Sequence, residues 1–143
     1  MNNFIPYVTI KTNKGHLKFL IDSGSNRNYL SRKHVNLENC RYTTPTTVRN
    51  VRGSHVINQF LEFNPFPEIK DTEEQTFLVF DFHPFFDGLI GYESLKNLKA
   101  DILTATNELK FQMEESKCFE NILTPLLYIL THKKPKLSTF QLN

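Results

Sequence analysis

Phe19-Leu20-Ile21-Asp22-Ser23-Gly24-Ser25 is the stretch that decides how this chain is read: an apolar run leads directly into an acid, a hydroxyl and a glycine. Taken alone, Asp-Ser-Gly is also an ordinary surface turn, because short polar side chains and glycine both favour tight bends. The run before it adds a constraint. Phe19, Leu20 and Ile21 are continuously apolar, as expected of a strand buried on both faces. An acid at the end of such a strand is presented from a rigid base.

The residues upstream build that base. Tyr7-Val8-Thr9-Ile10-Lys11-Thr12 alternates apolar and polar side chains and is rich in β-branched residues, which predicts a strand. Asn13-Lys14-Gly15 is a hairpin-type turn, and residues 16–21 return as a second strand. Asp22 is therefore expected at the end of a hairpin.

Downstream, residues 26–31 resume an extended path, and Ser31 is expected to cap one short helical turn over 31–35. Residues 36–45 are polar and irregular and predict a surface loop. Residues 46–51 and 55–61 are strand-like runs around Arg52-Gly53-Ser54, a Gly-centred hairpin signal. Residues 75–80 predict another strand. Phe85-Phe86-Asp87-Gly88-Leu89-Ile90-Gly91-Tyr92 then runs from a turn through two aliphatic residues to a glycine, and residues 93–98 have helical spacing, with Leu95 and Leu98 on one face. Residues 101–105 and 108–111 flank Thr106-Asn107 as a last hairpin. Roughly seven or eight short strands and at most two short helices argue for an all-β, barrel-like domain.

Composition sets the outer limits. A chain of 143 residues has material for one core, and 13 Phe and 5 Tyr supply ample apolar surface for it. The formal net charge of +2 argues against a nucleic-acid footprint spread over the chain. Cys40 and Cys118 lie far apart without metal-type spacing, and two free thiols are the simpler reading than a disulfide. No signal peptide and no membrane span are expected, so a cytoplasmic location is, in the open or inside a virus-like particle. His34, His55, His83 and His132 show no ligand spacing, so neither a metal nor a cofactor is expected.

An apolar strand into Asp22-Ser23-Gly24, a hairpin tipped by Gly53, and Leu89-Ile90-Gly91 before a short helix stand here in a fixed order. That arrangement resembles a retropepsin, the aspartic protease of retroviruses and retrotransposons. The strings over residues 19–31 and 85–95, with residues 99–104, look most similar to the gypsy type of long-terminal-repeat element and its insect endogenous-retrovirus relatives. The resemblance covers about residues 5–111. Several motifs agreeing in order carry more weight than any one of them.

The resemblance implies a retropepsin-like barrel with a short C-terminal helix over residues 1–111, working as a two-fold homodimer. Residues 112–143 would be an extension or linker toward a next polyprotein module. Asp22 would be the catalytic acid, with Ser23, Gly24 and Ser25 forming the active-site loop. In the family the hydroxyl after the Asp bonds across to the other subunit's turn. Val51, Arg52, Gly53 and Ser54 would form the flap and bind substrate together with Asn26. Leu89, Ile90 and Gly91 would support the loop from beneath. Asn26 departs from the Asp usual in retroviral members, a departure that bears on the usual ion pair at the dimer edge and not on catalysis. The homodimer also follows from the chemistry: two carboxylates are needed, and the chain has one Asp-Ser/Thr-Gly turn.

The implied substrate is an extended peptide, with no nucleic-acid or membrane partner. Two other functions fit the same residues: a retropepsin-fold dimerisation or peptide-binding module that no longer cleaves, and a cellular protease acting on host proteins. Asp22 as a solvated turn acid, Gly53 as the tip of an ordinary surface hairpin, Asp87-Gly88 as a simple turn and the Lys133–Lys136 cluster as a solvated charge run are the structural alternatives weighed beside these roles.

Overall fold

Gly15 takes φ +106°, a conformation that residues with a β-carbon rarely adopt, at the start of the second strand of a hairpin. The strands are β1 (Phe4–Thr12) and β2 (Gly15–Asp22), paired antiparallel with Tyr7 opposite Leu20 and Thr12 opposite Gly15. The protein is described here by a computed structural model that covers residues 4–12, 15–36, 38, 40–50, 53–111 and 116–123. Phe19, Leu20 and Ile21 are all buried, so β2 is covered on both faces as its unbroken apolar run requires.

Beyond the hairpin come β3 (Asn28–Leu30) and a 3-10 turn at Arg32–His34. A long hairpin follows, β4 (Arg41–Asn50) with β5 (Gly53–Phe63), and then β6 (Gln75–Val79) and β7 (Gly88–Gly91). A short helix, α1 (Tyr92–Asn97), leads to β8 (Asp101–Leu103), β9 (Glu108–Lys110), β10 (Ser116–Cys118) and β11 (Glu120–Leu123). Eight strands form one sheet in the order β11-β1-β2-β7-β3-β6-β5-β4, and three form a second in the order β10-β9-β8. Among the described residues the fold is all-β with one short α-helix, as the strand pattern predicts.

One feature of the sheet order positions everything that follows. β2 and β3 are consecutive in the chain but are not neighbours, because β7 lies between them. It runs parallel to β2, with Asp22 opposite Gly91, and antiparallel to β3, with Tyr29 opposite Leu89. The segment from Asp22 to Asn28 must therefore cross the end of β7.

Beneath that crossing sits the main core. Phe19 is fully buried and meets Phe77 edge-on at 5.8 Å, while Phe63 stacks on Phe77 at 4.2 Å. Each ring removed from water contributes on the order of 2–3 kcal/mol, and the edge-on geometry suits the ring quadrupoles. Leu95 and Leu98 of the α1 region, 6% and 7% exposed, pack on the same core, so their shared face points inward as their spacing predicts.

Three expectations need correction. The region 36–45 is not all loop: β4 begins at Arg41, and a register shift between Tyr42 and Thr46 accommodates Pro45. Proline lacks an N–H and is tolerated on an edge strand, which β4 is. Local polarity concealed a strand whose partner, β5, comes later. Ser31 makes no capping bond to the 3-10 turn; its hydroxyl instead donates to the Phe86 carbonyl at 3.5 Å. The stretch expected as an extension or linker, residues 112–143, contains paired chain: β10 joins β9, β11 returns to β1, and Phe119 between them is 4% exposed.

Val51 and Arg52, and the tail residues 124–143, lie outside the described residues. Cys40 and Cys118 form no disulfide. Among the described residues no helix is long and apolar enough to cross a membrane.

Candidate active site

Asp22 closes β2, half-buried, and the next five residues make the crossing over β7. The turn is tightened by two local bonds. The Ser25 N–H donates to the Asp22 carbonyl at 3.1 Å, and the Gly24 N–H donates to the Asp22 carboxylate at 2.9 Å. That second bond holds one carboxylate oxygen in place without enclosing it. Ser23 and Gly24 are exposed at the tip, and the Ser25 hydroxyl donates to the Arg27 carbonyl at 2.8 Å.

The loop is also fastened from below. The Tyr92 N–H, first residue of α1, donates to the Ser25 carbonyl at 2.7 Å. Gly91 sits so close that a β-carbon there would lie 2.5 Å from the carbonyl oxygens of both Ser25 and Arg27. Both obstacles are backbone, so a side chain at this position cannot be accommodated by a rotamer change. Leu89, Ile90 and Gly91 are all buried directly beneath the crossing.

A buried polar network completes the support. The Asn28 side chain accepts from the Gly91 N–H at 2.7 Å and donates to the Thr76 carbonyl at 3.0 Å and to the Ser94 hydroxyl. Ser94 in turn donates to the Gln75 side chain at 2.8 Å. Asn28, Gln75 and Ser94 are 6%, 6% and 3% exposed, so each bond is made away from water, where an unmade one is costly. Four segments, β3, β6, β7 and α1, are tied to one amide.

Sequence reasoning did not single out Asn28, Gln75 or Ser94. A polar residue opening the short apolar-flanked strand at Asn28 was the one local hint, but its partners come from distant segments. Tyr29 was also passed over. It is half-buried, packs edge-on against Phe80 at 5.6 Å and lies 6.0 Å from Phe82. Burial pushes its phenol pKa up, Arg27 and a hydrogen bond with Ser25 pull it down, and the Asp22 charge raises it, so the ring reaches the field of the Asp22 turn.

The remaining expected site residues are placed as follows. Asn26 is exposed on the crossing, at the rim of a small polar cavity that also takes in Arg27 and Glu93. Gly53 has φ +117° and opens β5 opposite Asn50, and Ser54 is exposed opposite Arg49, so both belong to the β4–β5 hairpin. The inward face of that hairpin packs Val48 and Ile57 against Leu78, Tyr29 and Phe80. A separate cavity of about 430 Å³ opens beside Asp22 and Ser23, with Ile5, Ile21, Ile102 and Phe119 among its walls.

No family model and no curated protein matches the chain. Among solved structures it is similar to the crystal structure of the retroviral protease-like domain of Ddi1 from Leishmania major, with a TM-score of 0.47 and 16% sequence identity over 81% of this chain and 93% of that one.

Proposed function

We propose that the chain is a retropepsin-type aspartic endopeptidase that acts as a two-fold homodimer, with Asp22 of each copy facing the other across the axis. The observation that carries this reading is the way Asp22 is held: its loop crosses the end of β7, rests on Gly91, where any β-carbon would press on the loop backbone, and is anchored by a buried Asn28 network. Such fixing exceeds what a solvated surface turn needs. It suits a carboxylate that must meet a second one at a set distance.

The chemistry follows from charge. Two carboxylates roughly 3 Å apart cannot both ionise, so they share one proton, as is general for aspartic-protease dyads. The ionised member takes a proton from a water held between them, and that water attacks the peptide carbonyl. The protonated member donates to the carbonyl oxygen as charge develops there. Titration belongs to the pair. In this reading the exposed Ser23 hydroxyl would bond to the opposing turn, and the β4–β5 hairpin would close over an extended peptide as the flap.

The substrate in this reading is a polyprotein of a gypsy-type retroelement or insect endogenous retrovirus, on the strength of the strings over residues 19–31 and 85–95. Residues 1–111 would carry the protease motifs, with residues 116–123 paired onto the same sheets ahead of any extension toward the next module. A host-protein substrate leaves the same chemistry intact.

The test compares wild type with Asp22→Asn on a peptide library at mildly acidic pH, with and without pepstatin, alongside sedimentation. Cleavage by wild type alone, blocked by pepstatin and carried by a dimer, is the expected result. Cleavage that persists in Asp22→Asn removes Asp22 from the mechanism, and activity from a strict monomer removes the two-copy site. A folded dimer inert on every peptide turns the reading to a silent binding module.

A further inference from the structure

Side chains of β5 alternate strictly near the hairpin tip. Ser54, Val56 and Asn58 are exposed, whereas His55 and Ile57 face inward. His55 lies opposite Val48, and its ring rests on Phe80, with centroids 4.7 Å apart and planes inclined by 46°. Phe80 meets Tyr29 edge-on at 5.6 Å, and Tyr29 reaches the Asp22 turn. His55, Phe80 and Tyr29 thus form a continuous run of ring contacts from the hairpin to β3, the strand that follows the Asp22 crossing.

This run contains one polar irregularity. Among the described residues, Nε2 of His55 is buried without a hydrogen-bond partner. Buried polar atoms are almost always satisfied, and leaving one unsatisfied costs free energy in every molecule that lacks the partner. A hairpin that must lift to admit a peptide would uncover this nitrogen during the same motion. A bound peptide is then the natural source of the missing bond.

We infer that His55 is a specificity-determining residue, and that the subsite it lines selects a tyrosine side chain of the substrate. The inference rests on the endopeptidase reading of the Asp22 site. The run offers ring faces and edges, which suit an aromatic side chain stacked beside Phe80 and Tyr29. Nε2 then needs a polar partner on the bound side chain. A phenol hydroxyl both donates and accepts, so it satisfies Nε2 in either tautomer of the imidazole. Phenylalanine fills the same space and leaves Nε2 unsatisfied, and a site built around a hydroxyl discriminates against the analogue without it.

The test uses paired peptides differing only by Tyr or Phe, with the pair moved through each position flanking the scissile bond. Wild type should favour the Tyr peptide at one position by about tenfold in kcat/KM, the value of one neutral hydrogen bond. In His55→Phe, which keeps a ring against Phe80, that ratio should fall to near one, while His55→Gln, which keeps a donor and an acceptor, should retain part of it. Asn58→Ala, on the outward face, should leave the ratio unchanged. A wild type without a Tyr preference at any position, or one whose preference survives in His55→Phe, overturns the inference. Calorimetric binding of the same peptides to Asp22→Asn, with and without His55→Phe, asks the question without cleavage. A Tyr preference in affinity that depends on His55 supports the subsite even if wild type fails to cleave, an outcome that would sink only the protease reading. Binding that ignores the Tyr/Phe exchange, or no binding of either peptide, sinks the subsite.

Discussion

Gly91 lies opposite Asp22 in the parallel pairing of β7 with β2, and a β-carbon on it would stand 2.5 Å from the Ser25 carbonyl oxygen. The loop that presents Asp22 thus rests directly on the Gly91 backbone. Gly91→Ala should push the loop away, with an overpacking cost of about 1–3 kcal/mol in denaturant unfolding. Activity should fall further than stability predicts, because a displacement of about 1 Å can cost on the order of a hundredfold in rate. Gly24→Ala is the contrast: its β-carbon would meet only the Asp22 carboxylate, at 3.1 Å. That variant should fold nearly normally and still lose activity. Equal stability losses in the two variants would contradict this account.

The Asn28 amide supplies both a donor and an acceptor to buried backbone, at Thr76 and Gly91. Asn28→Leu keeps the volume and strands both partners, so a loss of about 2 kcal/mol or more is expected in urea unfolding. Asn28→Asp retains the acceptor for the Gly91 N–H but places an ionised group 6% exposed among neutral partners. Its penalty should shrink as pH falls and the buried carboxyl protonates. A pH-independent penalty would mean that the site is open to water.

The strand pattern and the order of motifs were legible because their signals are local. Phe19 to Ile21 announce a doubly covered strand, Gly53 a hairpin, and the Leu95–Leu98 spacing a helix face. What failed to show was supplied from far along the chain. Arg41 to Thr44 read as loop because the pairing that makes them a strand comes from β5. Phe119 and its flanking strands read as linker because β11 is completed by β1, 113 residues away at the Tyr7–Glu120 pair. The Asn28 network was invisible for the same reason: Ser94 is 66 residues away and is adjacent only because β7 threads between β2 and β3.

Asp87, read from the sequence as a simple turn residue, holds more than a turn. Its carboxylate accepts from the Lys18 N–H at 2.8 Å and pairs with the His34 ring, and its backbone bonds to both Lys18 and Ser31. The strand carrying Asp22, the 3-10 turn and the start of β7 therefore converge on one residue. Asp87→Ala should destabilise by about 1 kcal/mol, since it removes the acceptor of the Lys18 N–H and the carboxylate paired with the His34 ring. A double-mutant cycle with His34→Ala should return a coupling of about 0.5–3 kcal/mol. Additive losses would show that the two side chains act independently.

Tyr7 and Glu120 bind β1 to β11, the phenol donating to the carboxylate. Burial, the hydrogen bond and the Glu120 charge push the Tyr7 pKa from 10.0 up to about 12. Each of these favours the neutral phenol in the folded chain. A folded-state pKa above the unfolded one gives stability that is complete below the unfolded value and is lost as pH rises through the folded value. The Tyr7 contribution, on the order of 2 kcal/mol, should therefore be constant below about pH 10 and disappear by about pH 12. Tyr7→Phe should remove that alkaline slope while preserving the ring packed against Phe86 at 5.5 Å. Glu120→Gln should keep an acceptor but drop the charge, lowering the Tyr7 pKa in an ultraviolet tyrosinate titration. If Glu120→Gln leaves that titration unchanged, β11 is not held to β1 through this pair, and the return of the chain after Phe111 depends on backbone pairing and Phe119 alone.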